Sequence, residues 1–486
     1  MIIKNETFLT ISYGTLLFFY TLSEFWLKIG SVGLPYYFII GLIFVSIFAL
    51  TYKRTIFNIL QRLTKLKFGK ALLLFIVWCA ITIIISLFKG TFIPGSFFTN
   101  YIGNFYNSFL FPMLLSCIII VLLPKYKNVK KILIFIFLLL FIFGFIDWLS
   151  INNIGIFKNI MSIFVNKNSL LSGAERFLRM DYGAARIASL CREPGEYGGL
   201  LTVSVPIFWY FFTTKEKIFK NNVTNIIIKK SLFIFFLISL YLTQSPINII
   251  FLGIILIVNF WNYINRYQKI IISVFLLLIS GFIYIYTNFD NNNNMYSGQN
   301  VIIRRIATVQ KNLFSINSIV EEEASFATRL CSFEAQLRIA IDNPVFGVGY
   351  GNINSKWGNY VLNLPHLITP EIERNALMDK QAGSGSFLWK IVSETGFVGL
   401  FLLYYFLFYL YKYGLKVSKN SNESEFIIAL AKSLIIYISF SWYLYLPPIF
   451  MFYFGMLMGF VYKNIFCKRV IIIPNDANYP NENKQN

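Results

Sequence analysis

Four arginines carry the chemistry that this sequence can offer. Arg186 and Arg192 precede an apolar run, and Arg329 and Arg338 lie in the stretch SFATRLCSFEAQLRIAIDNPVFGVGYGN, residues 325–352. A guanidinium presents a planar fork of donors that matches phosphate oxygens and stays charged when partly buried. Two such groups aimed at a diphosphate could bind it and also stabilise it as a leaving group. Glu193 and Glu196, beside Arg192, could activate an acceptor hydroxyl; equally, they could pair with Arg192 or cap the helix that follows. Arg338 has Glu334 four residues earlier, which is the spacing of an ordinary helical ion pair. Arg329 and Arg338 are nine residues apart, about half a turn out of phase on a helix. One helix therefore cannot aim both at one phosphate, and Arg329 is the favoured contact. Lys390 and Glu394, one turn apart inside an apolar run, either pair with each other or meet substrate. Tyr350, Trp357 and Tyr360 could stack on sugar faces or simply pack their loop.

Other chemistries lack their residues. There is no phosphate-binding Walker loop, no dinucleotide-binding glycine pattern and no Cys-x-x-Cys. His366 is the only histidine, which excludes a multi-histidine metal site, and no DxD-like pair recurs beside an apolar run. No metal and no cofactor are expected. Cys191 and Cys331 fall in the two long polar segments, where an oxidising compartment would permit a disulfide. Two unrelated buried thiols are the favoured reading.

The elements that must hold these residues follow from hydropathy. The chain has 486 residues and is 57% hydrophobic with only 13% charged residues, a balance foreign to soluble domains. Its long uncharged runs predict an all-α polytopic membrane protein of about twelve spans. They fall near 8–27, 33–51, 71–88, 105–123, 132–150, 196–214, 230–245, 247–263, 270–287, 387–410, 426–446 and 449–467. The first run is read as an uncleaved span. Lys and Arg concentrate between spans two and three and after spans four, six, eight and ten. All these loops fall on one side, which the positive-inside rule makes cytoplasmic, together with both termini. The net charge of +21 thus points to cytoplasmic loops and anionic lipid headgroups rather than to nucleic acid.

The expected organisation is spans one to five in 1–150, a first outer loop in 151–195, spans six to nine in 196–287, a large outer loop in 288–386, spans ten to twelve in 387–467 and a polar cytoplasmic tail in 468–486. Within the large loop, Phe326, Leu330, Phe333, Leu337 and Ile341 predict an amphipathic helix. Pro344 ends it, and Gly347, Gly349 and Gly351 follow in a turn where backbone can approach closely.

With these residues in place, the sequence resembles a family. RIASLCREPGEYGGL looks like the segment before a central span in bacterial O-antigen polymerases of the Wzy type. ATRLCSFEAQLRIAIDNPVFGVGYGN resembles their large outer loop, and SFLWKIVSETGFVGLF the span after it, with Glu394, Gly396 and Gly399 in register. YLTQSPINIIFLGI is similar to the start of another span. The related O-antigen ligases usually carry a histidine and an asparagine just before the span that holds Glu394. Gly385 and Ser386 stand there instead, which favours polymerase.

The resemblance implies a metal-independent glycosyltransferase in the bacterial cytoplasmic membrane. It would join undecaprenyl-diphosphate-linked oligosaccharide units outside the membrane, alongside a chain-length regulator and a flippase. Arg192, Glu193 and Arg329 would be catalytic, and Arg186, Glu196, Arg338, Tyr350 and Glu394 would bind substrate. A ligase is the near alternative. A flippase is the distant one, and would be expected to show related halves and short outer loops.

Overall fold

The computed structural model describes residues 6–21, 26–29, 32–89, 111–152, 156–157, 159–160, 187, 189, 194–214, 219, 221–243, 324–364, 387–418, 424–440 and 448–467. These residues are mostly helical, with one short antiparallel pair and the connecting turns. The helices are α1 (Glu6–Thr21), α2 (Tyr36–Thr51), α3 (Lys53–Lys65), α4 (Lys67–Phe88), α5 (Phe111–Leu122), α6 (Tyr126–Ile151), α7 (Pro194–Thr213), α8 (Asn222–Leu242), α9 (Ala324–Asp342), α10 (Asn354–Leu362), α11 (Phe387–Ser418), α12 (Ser424–Phe440) and α13 (Pro448–Tyr462), the last continuing into a π-turn at Lys463–Cys467. The exception to the all-α expectation is the hairpin β1 (Trp26–Ile29) with β2 (Val32–Pro35).

Among the described residues, four helices, α4, α6, α8 and α11, are long and apolar enough to cross a membrane. Helices α1, α2, α5, α7, α12 and α13 also overlap expected spans. The expected spans at 247–263 and 270–287 lie outside the described residues, as does the polar tail.

The basic segment between the second and third expected spans is a helix, α3, rather than a loop. Ile56, Ile59 and Leu63 form its buried stripe, and Lys53, Arg54, Arg62 and Lys65 take the other positions. Its end abuts the start of α4 so closely that a Cβ on Gly69 would meet the Leu63 carbonyl oxygen at 2.0 Å. Arg62 lies over the Phe466 ring and Lys67 over Tyr409, so these cations pack on aromatic faces. Pro124 separates α5 from α6. That corner is tied to α1 through Glu6, whose carboxylate accepts from the Lys125 amide at 2.6 Å and from Asn128 Nδ2 at 2.9 Å.

The core runs along the helix contacts. Helix α13 lies against α5 on Gly455 and Gly459, where added side chains would strike Ile119 and Leu123; small residues let helices approach closely in an apolar setting. Helix α7 joins α13 through a hydrogen bond between Ser204 and Tyr453 hydroxyls at 2.9 Å. Helix α11 packs most extensively along α4. That pairing carries the candidate site.

Candidate functional site

Helix α11 is not continuous. Gly396 has φ 71° and ψ 179°, a conformation that interrupts the helical ladder. A broken helix inside a packed bundle leaves backbone groups that must find partners, and the turn after α9 supplies them. The Phe397 amide donates to the Pro344 carbonyl at 2.8 Å, and the Val348 and Gly349 amides donate to the carbonyls of Ser393 and Glu394, each at 2.9 Å. The Thr395 carbonyl accepts from the indole of Trp78 on α4 at 2.9 Å.

The glycines in this turn are required by geometry. Gly347 has φ 63°, and a Cβ there would lie 2.3 Å from the Glu394 backbone. Gly349 has φ 98°, and a Cβ there would lie 2.5 Å from Ser86. Helix α4 forms the floor through residues spaced one turn apart. Trp78 stacks on Phe346 with centroids 5.3 Å apart, Thr82 Oγ1 accepts the Tyr350 amide at 3.3 Å, and Ser86 meets Gly349. Trp78, Thr82, Ser86 and Lys89 are not among the site residues expected from the sequence. Their signal is a polar stripe at four- and three-residue steps on an otherwise apolar helix.

Glu394 is completely buried beneath this turn. The amides of Gly351 and Ile353 and the cation Lys390 are the groups whose fields reach its carboxylate, without a hydrogen bond of full geometry. What ties Glu394 to the turn is its backbone carbonyl, which accepts the Gly349 amide at 2.9 Å. Ser332, Gln336 and the Trp357 indole nitrogen are further buried polar groups of this layer without a hydrogen bond among the described residues.

Helix α9 ends at Asp342, ahead of Pro344, but it buries a different face from the one expected. Cys331, Ser332, Ala335, Gln336, Ile339 and Ala340 are buried, whereas Ile341 is 60% exposed and Leu330, Phe333 and Leu337 are half-buried. The smaller side chains face inward against α10 and α11, which lets the backbones approach closely. The bulky stripe is left at the margin, where Phe333 meets Trp389 edge-on. Cys331 is a free thiol, which removes the disulfide reading. Its partner in that reading, Cys191, lies outside the described residues. Burial, and then the charge of Glu334, push the Cys331 thiol up to about 12.

At the end of α4 away from its basic start, the turn and α10 enclose a cleft of about 370 Å³. Ser86, Lys89, Asp342, Asn343, Asn359 and Tyr360 are among its lining, and Lys356 adds a second cation. The Tyr360 hydroxyl donates to Asp342 at 2.6 Å. Burial first, and then that hydrogen bond, push the Tyr360 phenol up to about 12, so it remains a neutral donor at ordinary pH.

Arg186, Arg192 and Glu193 lie outside the described residues, as does His366. Between Arg186 and Arg192, Ile187 and Ser189 are described, and both are anchored. The Ile187 amide donates to the Leu242 carbonyl at the end of α8 at 3.1 Å, and the Ser189 amide donates to Asp147 on α6 at 3.0 Å. Ser189 has φ 51° and also donates its hydroxyl to the Leu140 carbonyl. Asp147 is thus a second α-helical anchor that the sequence reading did not single out as part of the site. Glu196 and Arg329 occupy α7 and α9. Arg338 is exposed and pairs with Glu334 at 2.6 Å. Tyr350 and Trp357 are packed inside, 4% and 0% exposed, which leaves Tyr360 as the aromatic ring of the three that lines the cleft. Among the described residues, no cluster of His, Cys, Asp or Glu could hold a metal ion.

Residues 231–404 match the family described as O-Antigen ligase. The matched stretch includes α9, the glycine turn, α10 and the break in α11. It supports the O-antigen ligase/polymerase superfamily. No curated protein matches the chain.

Proposed function

We propose that this protein polymerises undecaprenyl-diphosphate-linked oligosaccharide repeat units into a surface polysaccharide, O-antigen or capsule, on the outer face of the bacterial cytoplasmic membrane. The observation that carries this reading is the family match at residues 231–404, which coincides with the turn locked into the broken helix. Members of that superfamily are glycosyltransferase-like enzymes acting on lipid-linked glycans.

In the reaction, a sugar hydroxyl of one unit attacks the anomeric carbon of the lipid-linked chain. The bond from that carbon to the diphosphate oxygen breaks, and the lipid diphosphate leaves with the electron pair. Arg192 and Arg329 stabilise the charge that accumulates on it, and Glu193 takes the hydroxyl proton. Arg186, Glu196 and Arg338 bind substrate in this reading. Tyr350 and Glu394, both buried, act by holding the loop's shape. No nucleotide sugar or metal enters the balance. A flippase and a chain-length regulator are the natural partners, since units must arrive outside and chains must stop.

Purified protein should convert an undecaprenyl-diphosphate-linked repeat unit into a ladder without added nucleotide or metal, and a failure to extend it would count against polymerisation. A ligase is the second reading, favoured by the family's description. A deletion strain separates the two, because loss of a polymerase leaves a single repeat unit on the surface glycolipid and loss of a ligase leaves none.

A further inference from the structure

We propose that the cleft between α4, the glycine turn and α10 is a subsite for an acidic sugar of the repeat unit, with Lys89 and Lys356 binding its carboxylate. This inference rests on the glycosyl-transfer reading above. Its volume, about 370 Å³, lies in the range of small-molecule sites. The lining is a saccharide-binding set, with amides from Asn343 and Asn359, hydroxyls from Ser86 and Tyr360, and a carboxylate from Asp342. Such groups match sugar hydroxyls, which both donate and accept.

The charge in the cleft is what selects the ligand. Neither Lys89 nor Lys356 has an ion-pair partner among the described residues. The one acid in the lining, Asp342, already accepts from Tyr360. A net positive cleft rich in neutral hydrogen-bonding groups suits a monoanionic sugar better than a neutral one. A diphosphate suits it less. Asp342 would repel a multiply charged anion, and the lining holds no arginine fork.

The test is binding to full-length protein in detergent, read by saturation-transfer NMR or calorimetry. The probes are glucuronosyl and galacturonosyl disaccharides, their neutral parent disaccharides, and inorganic pyrophosphate. A uronosyl disaccharide should bind more tightly than its neutral parent. Lys89→Gln and Lys356→Gln should each weaken that binding about five-fold, and the double variant about twenty-fold, as expected for partly exposed charge pairs. Neutral disaccharides should be indifferent to both substitutions, and 0.5 M salt should erase most of the acidic preference, a concentration of roughly this order being enough to screen exposed pairs. Lys89→Arg, which keeps the charge, should restore binding and so guard against a folding defect.

Equal binding of acidic and neutral sugars would overturn the proposal. So would lysine dependence confined to pyrophosphate, which would assign the cleft to the lipid diphosphate. Transfer assays keep the two levels apart. Uronate binding without transfer of any lipid-linked unit would sink the enzymatic reading and leave the subsite standing. Equal transfer of neutral and acidic units, unaffected by either lysine substitution, would sink the subsite alone.

Discussion

The Phe397 amide donates to the Pro344 carbonyl at 2.8 Å, so a backbone group freed by the break in α11 is satisfied by the turn that ends α9. The two segments are distant in the chain, and each needs the other. The turn fits only because α11 opens at Gly396, and the opening is tolerable only because the turn fills it.

Substitution of Gly396 should therefore be disproportionately harmful. A Cβ there would lie 2.1 Å from the Val345 carbonyl oxygen at a φ of 71°. The backbone strain alone costs about 1–3 kcal/mol, and the collision adds to it. Gly396→Ala should lower the unfolding temperature of the detergent-solubilised protein and reduce its abundance in membranes. Gly414→Ala on the same helix meets nothing nearer than Ile427 at 3.7 Å and should be neutral or slightly stabilising.

Trp78 separates packing from hydrogen bonding. Trp78→Phe keeps a ring against Phe346 but leaves the Thr395 carbonyl without its indole donor, at a cost of about 1–3 kcal/mol. Trp78→Ala loses the ring as well and should cost about 3–5 kcal/mol. Thermal unfolding by scattering would rank the two, and equal losses would mean that the hydrogen bond is the whole effect.

Asp147 should control the segment that carries Arg192. Its carboxylate accepts the Ser189 amide at 3.0 Å in a buried setting, a charge-assisted bond of about 1.5–3 kcal/mol. Asp147→Ala should raise protease sensitivity around residues 186–193 and reduce glycan polymer length. Asp147→Asn keeps an acceptor and should be milder on both measures.

The arginines should sort by role. Arg192→Lys and Arg329→Lys are expected to be nearly as inactive as the alanine variants, because lysine offers only a point charge to a diphosphate. The loss is about 2–4 kcal/mol of transition-state stabilisation, roughly 30- to 1000-fold in rate. Arg338→Lys should be mild, since Arg338 is exposed and its partner is Glu334 on the same helix. Ladder length in a complemented deletion strain, with membrane abundance checked by immunoblot, measures each. Near-normal ladders from the Arg192 and Arg329 alanine variants would remove the proposed catalytic pair.

Cys331 should resist alkylation until the fold is lost. With its thiol pushed up to about 12 by burial and by Glu334, roughly one molecule in ten thousand carries the thiolate at pH 8, against about a quarter for an ordinary thiol. The raised value means that the fold favours the protonated thiol. That contribution is complete below the unfolded value and is lost as pH rises toward 12. Iodoacetamide should leave Cys331 unlabelled in native membranes and label it in SDS without prior reduction. Rapid native labelling would contradict the burial.

Local physics was enough to read much of this chain. Uncharged apolar runs have no soluble alternative, and α4, α6 and α11 follow from them. Pro344 ends α9 at Asp342, because a proline cannot continue a helix whatever surrounds it. The Glu334–Arg338 pair needs only a helical turn. Other features depended on contacts between residues far apart in sequence. The spacing in α9 marked its bulky stripe as the inner face, yet Cys331, Ala335 and Ile339 are inside, because distance of approach to α10 and α11 outweighed side-chain hydrophobicity. The break at Gly396 is silent locally, since glycine occurs in helices that do not break. Only the Pro344 carbonyl arriving from another segment accepts the freed Phe397 amide, and Val345 beside it leaves no room for a Cβ at Gly396. For the same reason Lys89 and Lys356, in segments that hydropathy treats separately, became two walls of one cleft only when α4 and the glycine turn met.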